Sequence, residues 1–69
     1  MGSKSVEYYN SQRCIGCSID FKKTYFLCDV RYNDGTTETI VEEWQNGRLS
    51  RKLNKDFIPT VPLPAEERQ

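Results

Sequence analysis

Few residues in this 69-residue chain could do chemistry. Three cysteines, Cys14, Cys17 and Cys28, are the only soft ligands, and there is no histidine. Cys14-Ile15-Gly16-Cys17 has the spacing of a metal or redox pair, yet a closed zinc site takes four ligands. Cys28 brings the count only to three, so a carboxylate or a second chain would have to complete it. A redox dithiol normally opens a helix whose N-terminus lowers the thiol pKa. The run around Cys14 reads instead as a strand, on which positions three apart face opposite ways. The favoured reading is three reduced, mostly buried thiols acting as small hydrophobes, with a zinc-bridged dimer through Cys14 and Cys17 as the alternative. Lack of histidine also removes the commonest general acid and base. Of the carboxylate pairs, Glu42 and Glu43 would face opposite sides of a strand, and Glu66 and Glu67 lie in a tail. No glycine-rich phosphate loop is present. Neither an enzyme nor a cofactor is expected, and no residue is assigned a catalytic role.

Surface recognition remains. Tyrosine and tryptophan dominate interface hot spots because they join an apolar body to a polar tip. Tyr25, Leu27 and Trp44, with Asp29, Arg31 and Glu42, are therefore the expected partner-binding patch, to which Tyr8 or Tyr9 could add. Such a cluster would suit a protein-binding module, or a small regulator or inhibitor, that acts by occupying a partner's surface. Aromatic rings beside Asp29 and Glu42 could also accept a cation, and the same residues could equally form a second small core. The alternative function is binding of single-stranded nucleic acid, with Arg48, Arg51, Lys52 and Lys55 on phosphates and Tyr25 or Trp44 stacked on bases. Ten basic and ten acidic residues cancel, which counts against that alternative. The charges are nevertheless segregated: Asp29, Asp34, Glu38, Glu42 and Glu43 precede the basic run that begins at Arg48.

The elements that must position these groups are concentrated in residues 24–53. Two runs rich in aromatic and β-branched residues, and a third after them, are separated by Asp34-Gly35 and Asn46-Gly47, which supply the positive φ of tight hairpins. Two registers suit the first turn. A two-residue loop pairs Tyr32 with Thr37, Arg31 with Glu38, Val30 with Thr39 and Cys28 with Val41, and it is favoured because opposite charges then meet. A three-residue loop would set Val30 against Glu38 and Cys28 against Ile40. The second turn predicts Gln45 opposite Arg48, Trp44 opposite Leu49, Glu42 opposite Arg51 and Ile40 opposite Leu53. A capping box beginning at Thr39 offers a rival helix through Ile40, Val41 and Trp44, but a helix that short is marginal, and strand is favoured.

Upstream, Val6 to Tyr9 reads as a short strand ended by a polar break at 10–12. The alternation of Ile15, Cys17, Ile19 and Phe21 then predicts a second strand with those four on one face. Pro59, Pro62 and Pro64 end regular structure. Pro59 and Pro62 match a Pro-x-x-Pro ligand, though an extended segment packed along its own domain is preferred. The expectation is an all-β fold: a small, highly curved antiparallel sheet or an SH3-like or Tudor-like barrel of four to five strands, with room for one short helical turn near the C-terminus. Its divisions would be a frayed 1–5, a single β domain over 6–58 and a proline-rich tail over 59–69. No apolar run approaches the roughly 18 residues that span a bilayer, so no membrane partner is expected and a cytoplasmic or other intracellular location is. Self-association through an open strand edge stays available.

Overall fold

The computed structural model describes residues 5–63. In it the chain is all-β, with five antiparallel strands in one sheet and no helix among the described residues: β1 (Val6–Cys17), β2 (Lys23–Tyr32), β3 (Thr37–Gln45), β4 (Arg48–Leu53) and β5 (Val61–Pro62). Their order is β4-β3-β2-β1-β5. The sheet is open, so of the two expected architectures the curved sheet is found and the closed barrel is not. Residues 39–45 extend as the predicted strand. All of them pair with β2, and from Val41 onward with β4 as well, ladders that a lone short helix could not match. The expected helical turn after Leu53 is a reverse turn, closed by Phe57 N donating to Asn54 O at 2.9 Å and by Asp56 N donating to Asn54 Oδ1 at 2.8 Å.

The favoured register of the first hairpin is overturned. Arg31 lies opposite Thr37, Val30 opposite Glu38 and Cys28 opposite Ile40. Gly35 N donates to Tyr32 O at 3.0 Å and Tyr32 N to Thr36 O at 2.8 Å, so the loop has three residues. Packing outweighs the facing charges. In this register Cys28 and Val30, both 0% exposed, gather with Tyr32 and Ile40 into one core, against which Val6 and Phe26 pack. A slip of one residue would turn Ile40 to the other side of the sheet.

The second hairpin keeps its predicted tip, with Gln45 opposite Arg48 and Trp44 opposite Leu49. Asn46 and Gly47 hold φ at 56° and 75°, as a two-residue loop of this hand requires. Beyond the tip a bulge between Glu43 and Trp44 shifts the pairing, so Glu43 meets Arg51, Glu42 meets Lys52 and Val41 meets Leu53. The predicted Glu42–Arg51 and Ile40–Leu53 pairs are thereby replaced.

At the N-terminal end, the two expected strands are one 12-residue strand, β1. Its polar middle does not break it, because three register irregularities absorb the mismatch. Ile19 and Phe21, expected to share a strand face with Ile15 and Cys17, fall beyond the end of the strand and are 73% and 75% exposed. A second core lies on the opposite side of the sheet: Ile15, Tyr25 and Val41, packed by Leu27, Leu53 and Phe57. Chain from β4 to β5 supplies its cover, with the Phe57 ring 4.7 Å from that of Tyr25. β5 then docks on β1 at Gly16, where a Cβ would stand 2.4 Å from Val61 O and 2.8 Å from the Pro59 ring. Only glycine permits that approach. Ordered structure thus runs past position 58, while 1–4 and 64–69 lie outside the described residues.

Candidate protein-contact site

The six residues expected to form one patch are divided between the two sides of the sheet. Tyr25, Leu27, Asp29 and Arg31 share the Tyr25 face, whereas Glu42 and Trp44, placed by pairing with Phe26 and Thr24, lie on the Cys28 face. The corrected register is the cause. Tyr25 is 6% exposed and donates its hydroxyl proton to Glu43 Oε2 at 2.9 Å, so it serves the second core. Asp29 stays at the surface, accepting from Thr39 Oγ1 at 2.6 Å and Ser11 Oγ at 3.3 Å. Arg31 pairs with Glu7 at 3.5 Å and lies 5.8 Å from the Tyr8 ring centre.

Glu42 is wholly buried. Its carboxylate accepts from the Tyr9 hydroxyl, from Trp44 Nε1 at 3.0 Å and from Gln12 Nε2 at 3.5 Å. No cationic side chain among the described residues forms an ion pair with it. Burial, reinforced by the Glu42 carboxylate, pushes the Cys28 thiol up to about 12 and raises the Tyr9 hydroxyl. Both stay protonated at neutral pH, so Cys28 is no nucleophile.

Cys14 and Cys17 do not face apart as their spacing predicts. The irregularity at Gly16 sets Cys14 opposite Phe26 and Cys17 opposite Thr24, two positions on one side of β2. All three thiols are free, and among the described residues no three potential ligands converge on a metal position. The basic residues are similarly dispersed. Arg51 grips Glu43 through Nε at 3.1 Å and Nη2 at 3.3 Å, Lys55 contacts Asp56 at 3.5 Å, and Arg51 and Lys52 are strand neighbours on opposite faces.

The end of the sheet that carries the β1–β2 and β3–β4 turns presents a different arrangement, one that the sequence reading missed. Residues 18–22 form a tightly tied loop. Ser18 N donates to Lys23 O at 3.0 Å, Phe21 N to Ser18 O at 2.9 Å and Lys23 N to Ser18 Oγ at 3.1 Å. Asp20 Oδ1 accepts from Ser18 Oγ at 2.5 Å and Lys22 N at 3.1 Å, and these bonds hold its carboxyl below the usual range. The same bonds keep Phe21 at φ 62°, a left-handed conformation costing an aromatic residue about 1 kcal/mol. They also hold Ile19 and Phe21 in solvent. Ile58, 76% exposed, precedes the Pro59 that seats against Gly16 and so stands at this end too. Lys22 and Lys23 follow Phe21 in the chain, and Arg48, opposite Gln45, lies at the same end of the sheet. Behind the loop, between the two turns, a cleft of about 400 Å³ is lined by Gln12, Thr24, Phe26 and Trp44, the two rings edge to face at 6.5 Å. Ser18 and Asp20, bracketing Ile19 in a turn-forming pattern, were the available sequence signal.

Comparison with protein-family models, curated protein sequences and solved structures returns no match. Fold and site define a small open-sheet β protein with a protruding apolar turn. No helix of the described span is long and apolar enough to cross a membrane.

Proposed function

We propose that this protein is a non-catalytic binding module, or small regulator, that acts by seating the 18–22 turn and the neighbouring aromatic cleft against another protein. The observation that carries the reading is Phe21: it sits with a left-handed backbone in a turn tied by five hydrogen bonds, and its side chain is left three-quarters exposed beside an equally exposed Ile19. Rigid apolar anchors lose little entropy on binding. Lys22, Lys23 and Arg48, at the same end of the sheet, favour a partner whose apolar pocket has an acidic rim. Blocking a partner's site is one form the activity takes, and the three free thiols support a reducing, intracellular setting.

Affinity capture with the intact domain, compared with an Ile19→Ser, Phe21→Gly double variant, tests the proposal. Glycine retains the left-handed backbone, so the variant folds, and the expected result is loss of the captured partner by tenfold or more. Retention of every partner rejects it. Binding to single-stranded oligonucleotides that falls steeply with salt would favour the nucleic-acid alternative instead.

A further inference from the structure

We infer that the outer edge of β3 at 37–40 is a second, independent docking site, which takes an extended basic peptide as an added strand. β4 pairs with β3 only from Val41 to Gln45. At Asn54 the chain turns away, leaving four residues of β3 without a paired strand on that side among the described residues. The ladder with β2 fixes which groups are free. Tyr32 bonds to Gly35 and Thr36, so in the alternation of an antiparallel pair the backbone groups of Glu38 and Ile40 point to β2. Those of Thr37 and Thr39 point outward.

The stretches of β3 and β1 that the shorter edge strands β4 and β5 leave uncovered differ in how they resist such pairing. β1, beyond the short contact with β5 at Gly16 and Cys17, carries two irregularities, between Val6 and Tyr8 and between Tyr9 and Ser11, a common way of blunting an edge. The open stretch of β3 carries none. Beside it lies a groove of about 580 Å³, lined by Asn10, Asp29, Thr39, Ile40, Leu53 and Lys55. Its charge selects the occupant. On the Thr39 side of the sheet Asp29 is bonded only to hydroxyls among the described residues, whereas Lys55 is occupied by Asp56. An incoming strand collinear with β4 would set alternate side chains toward Asp29, where basic residues fit, and the others over Ile40, where apolar ones fit. Its backbone would exchange hydrogen bonds with Thr37 and Thr39.

The test is a titration of the isotopically labelled chain with a blocked seven-residue peptide of alternating arginine and valine, read by amide NMR. Saturable shifts centred on the Thr37 and Thr39 amides, with slowed exchange there, are expected. Methylating the arginine nitrogens, which would face Thr37 and Thr39, should weaken binding about tenfold, the loss that follows from one or two hydrogen bonds. Methylating the valine nitrogens should leave it unchanged. Replacing arginine by glutamate should also cost about tenfold. Thr39→Pro removes an outward donor without breaking the ladder to β2 and should abolish the shifts in a protein whose remaining spectrum stays dispersed. The inference is overturned if the two methylated peptides bind alike, if the shifts centre on the 18–22 turn, or if Thr37 and Thr39 already shift with protein concentration alone. That last result would make a second copy the occupant.

Discussion

Glu42 and Glu43 are neighbours in sequence, lie on opposite faces of one strand, are both buried, and are satisfied in different ways. Glu43 has the bidentate guanidinium of Arg51 and the Tyr25 hydroxyl. Burial alone would raise its carboxyl, but these partners hold it below the ordinary 4.5. Glu42 has only the neutral donors of Tyr9, Gln12 and Trp44, drawn from strands on both sides of β2. The first is a pair at the margin of a core, since the Arg51 side chain is 60% exposed. The second is a knot that ties β1 to β3 across Cys28. Buried polar groups are costly when left unpaired, and the knot has more to leave unpaired.

The comparison can be broken by mutation. Glu42→Ala should have the largest effect, about 3 kcal/mol, because it opens a cavity and removes the shared acceptor of the part-buried Tyr9, Gln12 and Trp44 donors. Glu43→Ala should cost about 2 kcal/mol, since Arg51 recovers water and only the Tyr25 hydroxyl is left buried. Denaturant unfolding measures both, and equal losses would show that the two sites are equivalent.

Acid and alkali should separate the faces next. Glu43 has a depressed folded pKa, so its stabilisation is complete above 4.5 and is lost as pH falls through the folded value. Glu43→Gln should flatten stability against pH in that window. Tyr9 and Cys28 have raised folded values, so their contribution is complete below the ordinary 10.0 and 9.0 and is lost as pH rises beyond them. Tyr9→Phe should flatten the alkaline side and leave the acid side unchanged.

Arg51→Ala should cost about 1–2 kcal/mol, because the Glu43 carboxylate that loses its charged partner is itself buried. The smallest change is expected from Phe21→Gly, which relieves the left-handed strain and should be neutral or stabilising by up to about 1 kcal/mol. Because Phe21 contacts neither glutamate, its effect should add to those of the others.

Much of the architecture was legible in residues 24–53. Asn46 and Gly47 announced a turn whose geometry was predictable to the pairs on either side of it, and the shortness of the rival helix favoured strand at 39–45. The patch was less legible. Its six residues depended on one register, and facing charges at Arg31 and Glu38 pointed to the wrong one. Tyr25 and Leu27 look like surface anchors in a linear reading because the cover over them, Phe57 and the segment leading to β5, is distant in sequence. Ile19 and Phe21 look like strand residues because alternation continues past the residue where the strand ends.

By itself the sequence determined an all-β chain, the positions of its two glycine-containing turns and the faces of β2, since alternation and positive φ are properties of a few adjacent residues. Tertiary structure decided the register of β3 on β2, the bulge that hands Arg51 to Glu43, and the side of the sheet on which Trp44 and Glu42 stand. Those outcomes rest on which side chains fill a common interior. Local charge pairing, worth well under 1 kcal/mol at a surface, yields to the burial of Cys28, Val30 and Ile40, each worth more.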